Sequence, residues 1–221
     1  MPLQNLDPSI ATTTTPDRRQ RRSTEIRERL FRAALGIFAK KGYAETTVED
    51  ITNAADLGKG TFFNYFPSKE HLLAAFSDMQ VGKLAAAVED MRIHPQPMEQ
   101  FLESLTVRMT EEPARTPEVV RALLQANLSS SSVRGLMQEK NARSEALLTE
   151  LMRLGQDRGE LRRDLEPLQL ARVFRQTTFG TLLLWSVYGD ASLPERIRTA
   201  LAVLWTGMAI RKPVTPRPPE S

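Results

Sequence analysis

The stretch "TTVEDITNAADLGKGTFFNYFPSKEHLL", residues 46–73, decides the fold because it encodes two short helices separated by a tight turn. Either Thr46 or Thr47 can cap the first helix, since each has an acidic residue three positions later. This helix ends near Ala55, and residues 56–58 form the break. Pro67 ends the second helix because a proline disfavours helical geometry in the residue before it.

The second short helix carries an aromatic run within "GKGTFFNYF", residues 58–66. Phe62 and Phe66 lie four positions apart and share one helical face, which predicts that they pack under the first helix of the chain. Asn64 and Tyr65 point elsewhere, and Tyr65 can bury its ring while its hydroxyl reaches a phosphate. Half of the aromatic run is therefore expected in the core.

Helical signals continue on both sides of this stretch. A helix that begins at Ser23 is expected to end at Gly42, after two lysines that suit the negative end of its dipole. Ser68 can cap a longer helix that runs to about residue 91. Later helix boundaries are marked by Pro97, Pro117, the serines 129–132, Gly159, Pro167 and Ser192.

These signals predict an all-α chain of about nine helices, four in a small N-terminal unit and five in a larger C-terminal unit. We expect a flexible basic arm over residues 1–22 and the N-terminal unit over residues 23–83. The C-terminal unit is expected over residues 84–211, followed by a proline-rich disordered tail over residues 212–221.

Composition narrows the compartment and the possible partners. The chain has no cysteine, which suits a reducing interior, and its start lacks the apolar run of a signal peptide, so we expect a cytoplasmic protein. Its longest uncharged run, residues 176–189, is too short to span a membrane, which needs roughly 20 residues, so no membrane partner is expected. Residues 17–32 hold seven arginines against three acidic residues. This basic segment is either a solvated helix face or an arm that contacts phosphate.

The sequence offers little for catalysis. Its two histidines, His71 and His94, lie far apart, and no metalloprotease, nucleophile-elbow or P-loop motif is present. Neighbouring acidic pairs such as Glu89 and Asp90 point about 100° apart on a helix and form no ready metal or acid–base site. We therefore expect no enzyme activity, no metal and no cofactor.

Binding to double-stranded DNA fits the residues better. Two short helices joined by a tight turn form the helix-turn-helix layout, in which the second helix enters the major groove. Its N-terminal end carries Lys59, whose charge can reach phosphate or guanine, and Thr61, whose hydroxyl can bind phosphate. Gly58 and Gly60 permit close approach of the backbone.

Residues 46–76, which end in "SKEHLLAAF", resemble the DNA-binding signature of the TetR family of bacterial transcriptional regulators, over about residues 23–83. The resemblance rests on the paired threonines, the glycine-lysine-glycine-threonine start, the aromatic run and Ser-Lys-Glu after proline. The chain departs from the family pattern at Gly58 and at Phe63, where tyrosine is usual. The DNA contacts that we predict are Thr47, Lys59, Gly60, Thr61, Phe63, Asn64, Tyr65 and Lys69.

The resemblance implies a homodimeric repressor that releases a palindromic operator when a small molecule binds the C-terminal unit. Two-fold pairing places two recognition helices about 34–36 Å apart, one turn of DNA. The final helices, residues 167–189 and 192–209, are the expected dimer interface. The effector is not identified by the sequence. The candidate pocket residues are Phe101, Leu105, Met109, Leu123, Phe174 and Phe179, and for each of them the alternative is plain core packing.

Two other functions remain open at the level of sequence. The chain could be a helical small-molecule enzyme with an incidental helix-turn-helix. It could also be an adaptor or small-molecule-binding protein that keeps the fold without specific DNA binding and uses its arginine-rich arm on anionic lipid or RNA. Duplex binding that is both salt-sensitive and sequence-selective would separate the regulator from both alternatives.

Overall fold

A computed structural model describes residues 18–111, 116–189 and 192–210. Within these ranges the chain forms nine α-helices, which confirms the predicted all-α fold: α1 Arg18–Lys41, α2 Val48–Ala54, α3 Lys59–Tyr65, α4 Lys69–Ile93, α5 Met98–Glu111, α6 Pro117–Ser129, α7 Ser131–Asp157, α8 Pro167–Tyr188 and α9 Leu193–Met208. An isolated antiparallel bridge joins Leu161 to Ala209. The predicted tail and residues 1–17 of the predicted arm lie outside the described residues.

Helix α1 begins earlier than the sequence suggested. It starts at Arg18, so the last five residues of the predicted arm are helical. The pair Ser23 and Thr24 resembles a helix start, but the Thr24 hydroxyl donates to the carbonyl of Gln20, one turn back, at 3.1 Å. A threonine inside a helix can donate its hydroxyl to the carbonyl four residues earlier, and such a threonine does not mark the start of the helix.

Most of the later boundaries follow from their caps. Thr116 caps α6 and Pro117 takes its first position, while Ser130 alone separates α6 from α7 and caps α7. Pro97 directly precedes α5 instead of lying in its first turn. Gly159 follows α7 with a φ of +70°, a left-handed conformation that glycine adopts without strain.

Two clusters of buried apolar side chains hold the helices together. The C-terminal cluster begins at Leu84 on α4 and extends through α5, α7, α8 and α9. The N-terminal cluster joins α1, α2, α3 and the start of α4. It also contains Val119, Ala122 and Ala126 of α6, and Val133 and Met137 of α7. A boundary at Lys83 therefore does not separate two independent cores.

Helices α4, α6 and α7 connect the two clusters, because each contributes buried side chains to both. Helix α4 packs along α7, and α6 packs against both α1 and α8. Any displacement of α6 or α7 must therefore move atoms of the N-terminal cluster, because close-packed interiors transmit strain.

Candidate nucleic-acid interface

Helix α3 is held by its aromatic side chains. Phe62 is fully buried and Phe66 is 5% exposed, with their ring centroids 5.7 Å apart. Both lie in the N-terminal cluster with Leu30 and Phe38 of α1. This confirms the predicted packing under α1, and it fixes the direction in which the remaining side chains of α3 point.

The outward face of α3 is small and polar at its start. Lys59, Gly60 and Asn64 are exposed, whereas Thr61 is half-buried. Phe63 is 50% exposed, and its ring meets Phe62 edge-on with centroids 5.5 Å apart. The structure thus exposes four of the predicted DNA contacts, namely Lys59, Gly60, Phe63 and Asn64. Phe63 adds an apolar side chain to that surface and no hydroxyl.

Tyr65 lies at the edge of this surface, half-buried against the N-terminal cluster. The guanidinium of Arg27 on α1 lies 5.8 Å from the centroid of its ring, within the range of a cation–π contact. Sequence reasoning missed this arginine, although its place on the most basic helix was a signal. Arg27 and Tyr65 bring the basic face of α1 next to α3.

Thr47 is exposed and caps α2, which settles the choice between the two threonines. Its hydroxyl accepts from the backbone N–H of Asp50 at 3.1 Å, and the Asp50 carboxylate accepts from the Thr47 backbone N–H at 2.8 Å. The Lys41 ammonium lies 2.6 Å from the same carboxylate. Hydrogen bonds from Lys41 and Thr47 hold the pKa of Asp50 well below its usual range.

Lys69 is placed differently from the prediction. Its ammonium donates to the carbonyls of Tyr43, Ala44 and Thr46 at 2.8–3.1 Å. It also lies 4.6 Å from the centroid of the Tyr43 ring. An ammonium has three donors, and all three are satisfied within the chain. Lys69 therefore holds the loop between α1 and α2, and its donors are occupied there.

The Tyr43 hydroxyl extends this loop clamp by donating to Glu70 at 2.8 Å. Burial and the neighbouring Glu70 raise the pKa of Tyr43. Burial also opposes ionisation of Glu70, but hydrogen bonds from Ser68, its own backbone and Tyr43 outweigh it and lower the pKa of Glu70. The Ser68 hydroxyl bonds Glu70 at 2.5 Å and does not cap the backbone of α4.

A second clamp holds the turn between α2 and α3. Asp56 adopts a φ of +50°, unusual for a residue with a side chain. From α1, Arg29 donates to the carboxylate of Asp56 at 3.0 Å and to its backbone carbonyl at 3.3 Å. Local sequence signals cannot predict this contact, because the two residues are 27 positions apart. Arg29 thereby links α1 to the turn between the two short helices.

The predicted ligand residues do not form one pocket. Phe101, Leu105 and Phe174 are buried in the C-terminal cluster, and Met109 packs against it, because apolar residues at helical spacing fill the core first. Only Leu123 and Phe179 of the predicted set line a cleft of about 760 Å³ between α4, α6, α7 and α8. That cleft lies beside the N-terminal cluster, where the prediction did not place it.

No group of three or more acidic or histidine side chains in residues 18–111, 116–189 and 192–210 could hold a metal ion. None of the helices in the same residues is long and apolar enough to cross a membrane.

Comparison with known proteins agrees with this geometry. Residues 30–76 match the model of the bacterial regulatory proteins of the tetR family. The repressor DhaR of Mycobacterium sp. strain GP1 is 28% identical over 180 residues, which cover 72% of this chain and 82% of DhaR. The repressor KstR of Mycobacterium tuberculosis is 26% identical over 183 residues, 81% of this chain and 79% of KstR.

A solved structure extends the likeness through the C-terminal unit. Thermus thermophilus FadR, described as a TetR-family transcriptional repressor in complex with lauroyl-CoA, is 27% identical with a TM-score of 0.60. The match covers 88% of this chain and 100% of that one. The similarity therefore includes both units and is not confined to the helix-turn-helix.

Proposed function

The chain belongs to the TetR family of bacterial transcriptional regulators, and from this we propose that it is a homodimeric repressor that releases a palindromic operator when a small molecule binds it. The observation that carries the proposal is the outward face of α3. Its start presents Lys59, Gly60 and Thr61, while the opposite face is anchored in the core by Phe62 and Phe66.

The outward face of α3 suits the major groove. A lysine can reach guanine or phosphate, an asparagine can pair with adenine, and a glycine allows the backbone to approach closely. Lys59 and Asn64 provide the first two groups, and both are exposed. The arginines at the start of α1 extend the positive charge beyond α3. Together these groups support sequence-selective binding that weakens as salt is added.

An apolar stripe on α8 and α9 supports the homodimer. Val173, Leu184 and Val187 on α8 are between 42% and 56% exposed, and Gly180 lies between them at helical spacing. Val203 on α9 is 69% exposed and lines a groove between α8 and α9 together with Gly180 and Leu184. Large exposed apolar side chains in one stripe are typical of a protein interface. A second copy of the chain would cover them and place two α3 helices on one face of DNA.

A small-molecule effector is supported by the relative from Thermus thermophilus, which is a repressor in complex with lauroyl-CoA. In this chain the cleft of about 760 Å³ has the size of a typical ligand site. Its walls come from α4, α6, α7 and α8, and the first three of these helices contribute side chains to the N-terminal cluster. A ligand there can shift the DNA-binding surface.

Selection of bound duplexes from a random DNA pool tests the proposal. We expect enrichment of an inverted repeat, bound by two copies of the chain, with affinity that falls steeply as salt rises. Lys59→Ala should reduce the affinity for the selected duplex. Binding that shows the salt dependence without any enriched sequence would contradict the proposal and favour the adaptor with a general affinity for anionic polymers.

A further inference from the structure

The cleft between α4, α6, α7 and α8 has an apolar wall that belongs to the N-terminal unit. Leu73 and Phe76 of α4 line it together with Leu123 of α6 and Phe179 of α8. Leu73 is also part of the N-terminal cluster, and Leu123 packs against that cluster. The cleft therefore lies directly on the core that supports the helix-turn-helix, whereas the C-terminal cluster is filled by its own side chains.

One polar side chain in this cleft lacks a partner on one side. The carboxamide nitrogen of Gln80 donates weakly to the carbonyl of Met109 on α5, at 3.4 Å. Its oxygen Oε1 is buried, and no donor among the described residues reaches it. Burying an unpaired acceptor costs free energy, so the present orientation of the Gln80 side chain is not strongly favoured. When this side chain turns toward the cleft, its oxygen can accept from a ligand's hydrogen-bond donor.

The charge of the cleft limits the class of ligand. Its polar lining consists of Ser77, Gln80, Asn127, Gln138 and Asn141, with Arg134 as the single charged side chain among the described lining residues. No carboxylate in that lining could balance a cationic ligand. One exposed arginine also offers little for a ligand with several phosphates, because each buried negative charge needs a partner.

We propose that the effector is an apolar molecule that carries a hydroxyl or N–H donor and at most one negative charge, and that its donor binds Gln80 Oε1. This inference rests on the proposed function only for the consequence of binding, namely the release of DNA. The ligand's apolar body fills the space between the rings of Phe76 and Phe179, and a negative group, where present, faces Arg134.

The signal passes through a pair of stacked rings. Phe76 lines the cleft, and its ring stacks on Phe31 of α1 with centroids 4.1 Å apart and planes within 10°. Phe31 in turn packs against the N-terminal cluster. A ligand that displaces Phe76 must therefore shift Phe31 or break the stack. Because α2 packs on α1, and α3 packs on α2 and shares the N-terminal cluster with α1, the angle of α3 changes with α1.

Calorimetry with a matched pair of probes tests the ligand class. Biphenyl-4-ol carries a donor, and 4-methoxybiphenyl has the same rings without one. We expect the wild-type chain to bind biphenyl-4-ol about tenfold more tightly, the usual effect of one hydrogen bond to a buried group. Gln80→Met should remove this preference, whereas Gln100→Met, at an exposed position on α5, should keep it.

Three results of these titrations would overturn the assignment. The first is no detectable binding of either probe to the wild-type chain. The second is a preference for the hydroxyl that Gln80→Met leaves unchanged. The third is strong binding of lauroyl-CoA that is insensitive to Gln80→Met. None of these titrations needs DNA. A failure to select an operator would therefore contradict the proposed function, while the titrations would still decide the ligand assignment.

The ring pair is tested with Phe31→Leu, because Phe31 does not line the cleft. Circular dichroism melting should first show that the variant is folded. We expect its affinity for biphenyl-4-ol to stay within about twofold of wild type, since no cleft contact is removed. The factor by which the probe weakens binding to the selected duplex should shrink. An unchanged factor would show that the signal does not pass through this pair.

Discussion

Arg121 on α6 donates two hydrogen bonds from its guanidinium to the backbone carbonyl of Ser186 in the last turn of α8. The carbonyls in the last turn of a helix have no partner within the helix, and a cation there also interacts favourably with the negative end of the helix dipole. Ser186 is fully buried. Since α6 packs on α1 as well, this bond ties the proposed dimer face to the DNA-binding unit.

Replacing Arg121 should therefore destabilise the chain. We expect Arg121→Ala to lower the free energy of unfolding by about 1–2 kcal/mol, the usual cost of leaving a buried carbonyl unpaired. Urea unfolding followed by circular dichroism measures the loss. Arg153→Ala on α7 is the matched control, because Arg153 is exposed and forms no hydrogen bond or ion pair among the described residues. Equal effects of the two substitutions would contradict the role of Arg121.

The two lysines of the predicted DNA interface should behave differently. Lys59 is exposed at the start of α3, whereas Lys69 bonds three carbonyls of the α1–α2 loop. Lys59→Ala should weaken binding to the selected duplex and make its salt dependence shallower, with no change in melting temperature. Lys69→Ala should lower the melting temperature. A Lys69→Ala chain that melts like wild type yet binds DNA poorly would restore Lys69 as a direct contact.

The apolar stripe on α8 and α9 predicts the oligomeric state. Leu184→Glu or Val203→Glu places a charge in the proposed interface, where burial without a partner is costly. We expect sedimentation to show a dimer for wild type and a monomer for either variant, with weaker DNA binding in parallel. Ile93→Glu is the control, because Ile93 is 62% exposed at the end of α4, away from the stripe. A dimer that survives both substitutions would place the interface elsewhere.

The capping box at α2 predicts a dependence of stability on pH. The folded state lowers the pKa of Asp50, so it binds this proton more weakly than the unfolded chain does. The stabilisation is therefore complete above the ordinary carboxyl pKa of about 4 and is lost as the pH falls below it. Asp50→Asn should be less stable than wild type near neutral pH, and the difference should diminish in acid. Urea titrations of both proteins across this range decide the question.

Local signals in the sequence predicted the elements that depend on neighbouring residues. The threonines before α2, the break before α3 and Pro67 after it fixed the helix-turn-helix, because caps and turns are determined within a few residues. The aromatic spacing predicted the burial of Phe62 and Phe66 for the same reason. Local signals predicted the start of α1 at the wrong residue, because a threonine can form a hydrogen bond inside a helix as well as cap one.

Contacts between distant residues were beyond the sequence. Lys69 occupies a position that faces phosphate in the family pattern, but the loop carbonyls that hold it are more than 20 positions away. The cleft could not be placed either, because apolar residues that fill a core and those that line a cavity share the same helical spacing. Only the packing of the helices shows that Phe101 is buried in the C-terminal cluster and that Phe179 lines the cleft.

The side chains that α6 and α7 contribute to the N-terminal cluster have a practical consequence for protein engineering. Sensors are built by joining the DNA-binding unit of one regulator to the ligand-binding unit of another. A graft cut at Lys83 would leave Val119, Ala122 and Val133 behind and expose the core that they cover. A hybrid made from this chain should retain the side chains of α6 and α7 that belong to the N-terminal cluster. The transferred DNA-binding unit then keeps its complete core.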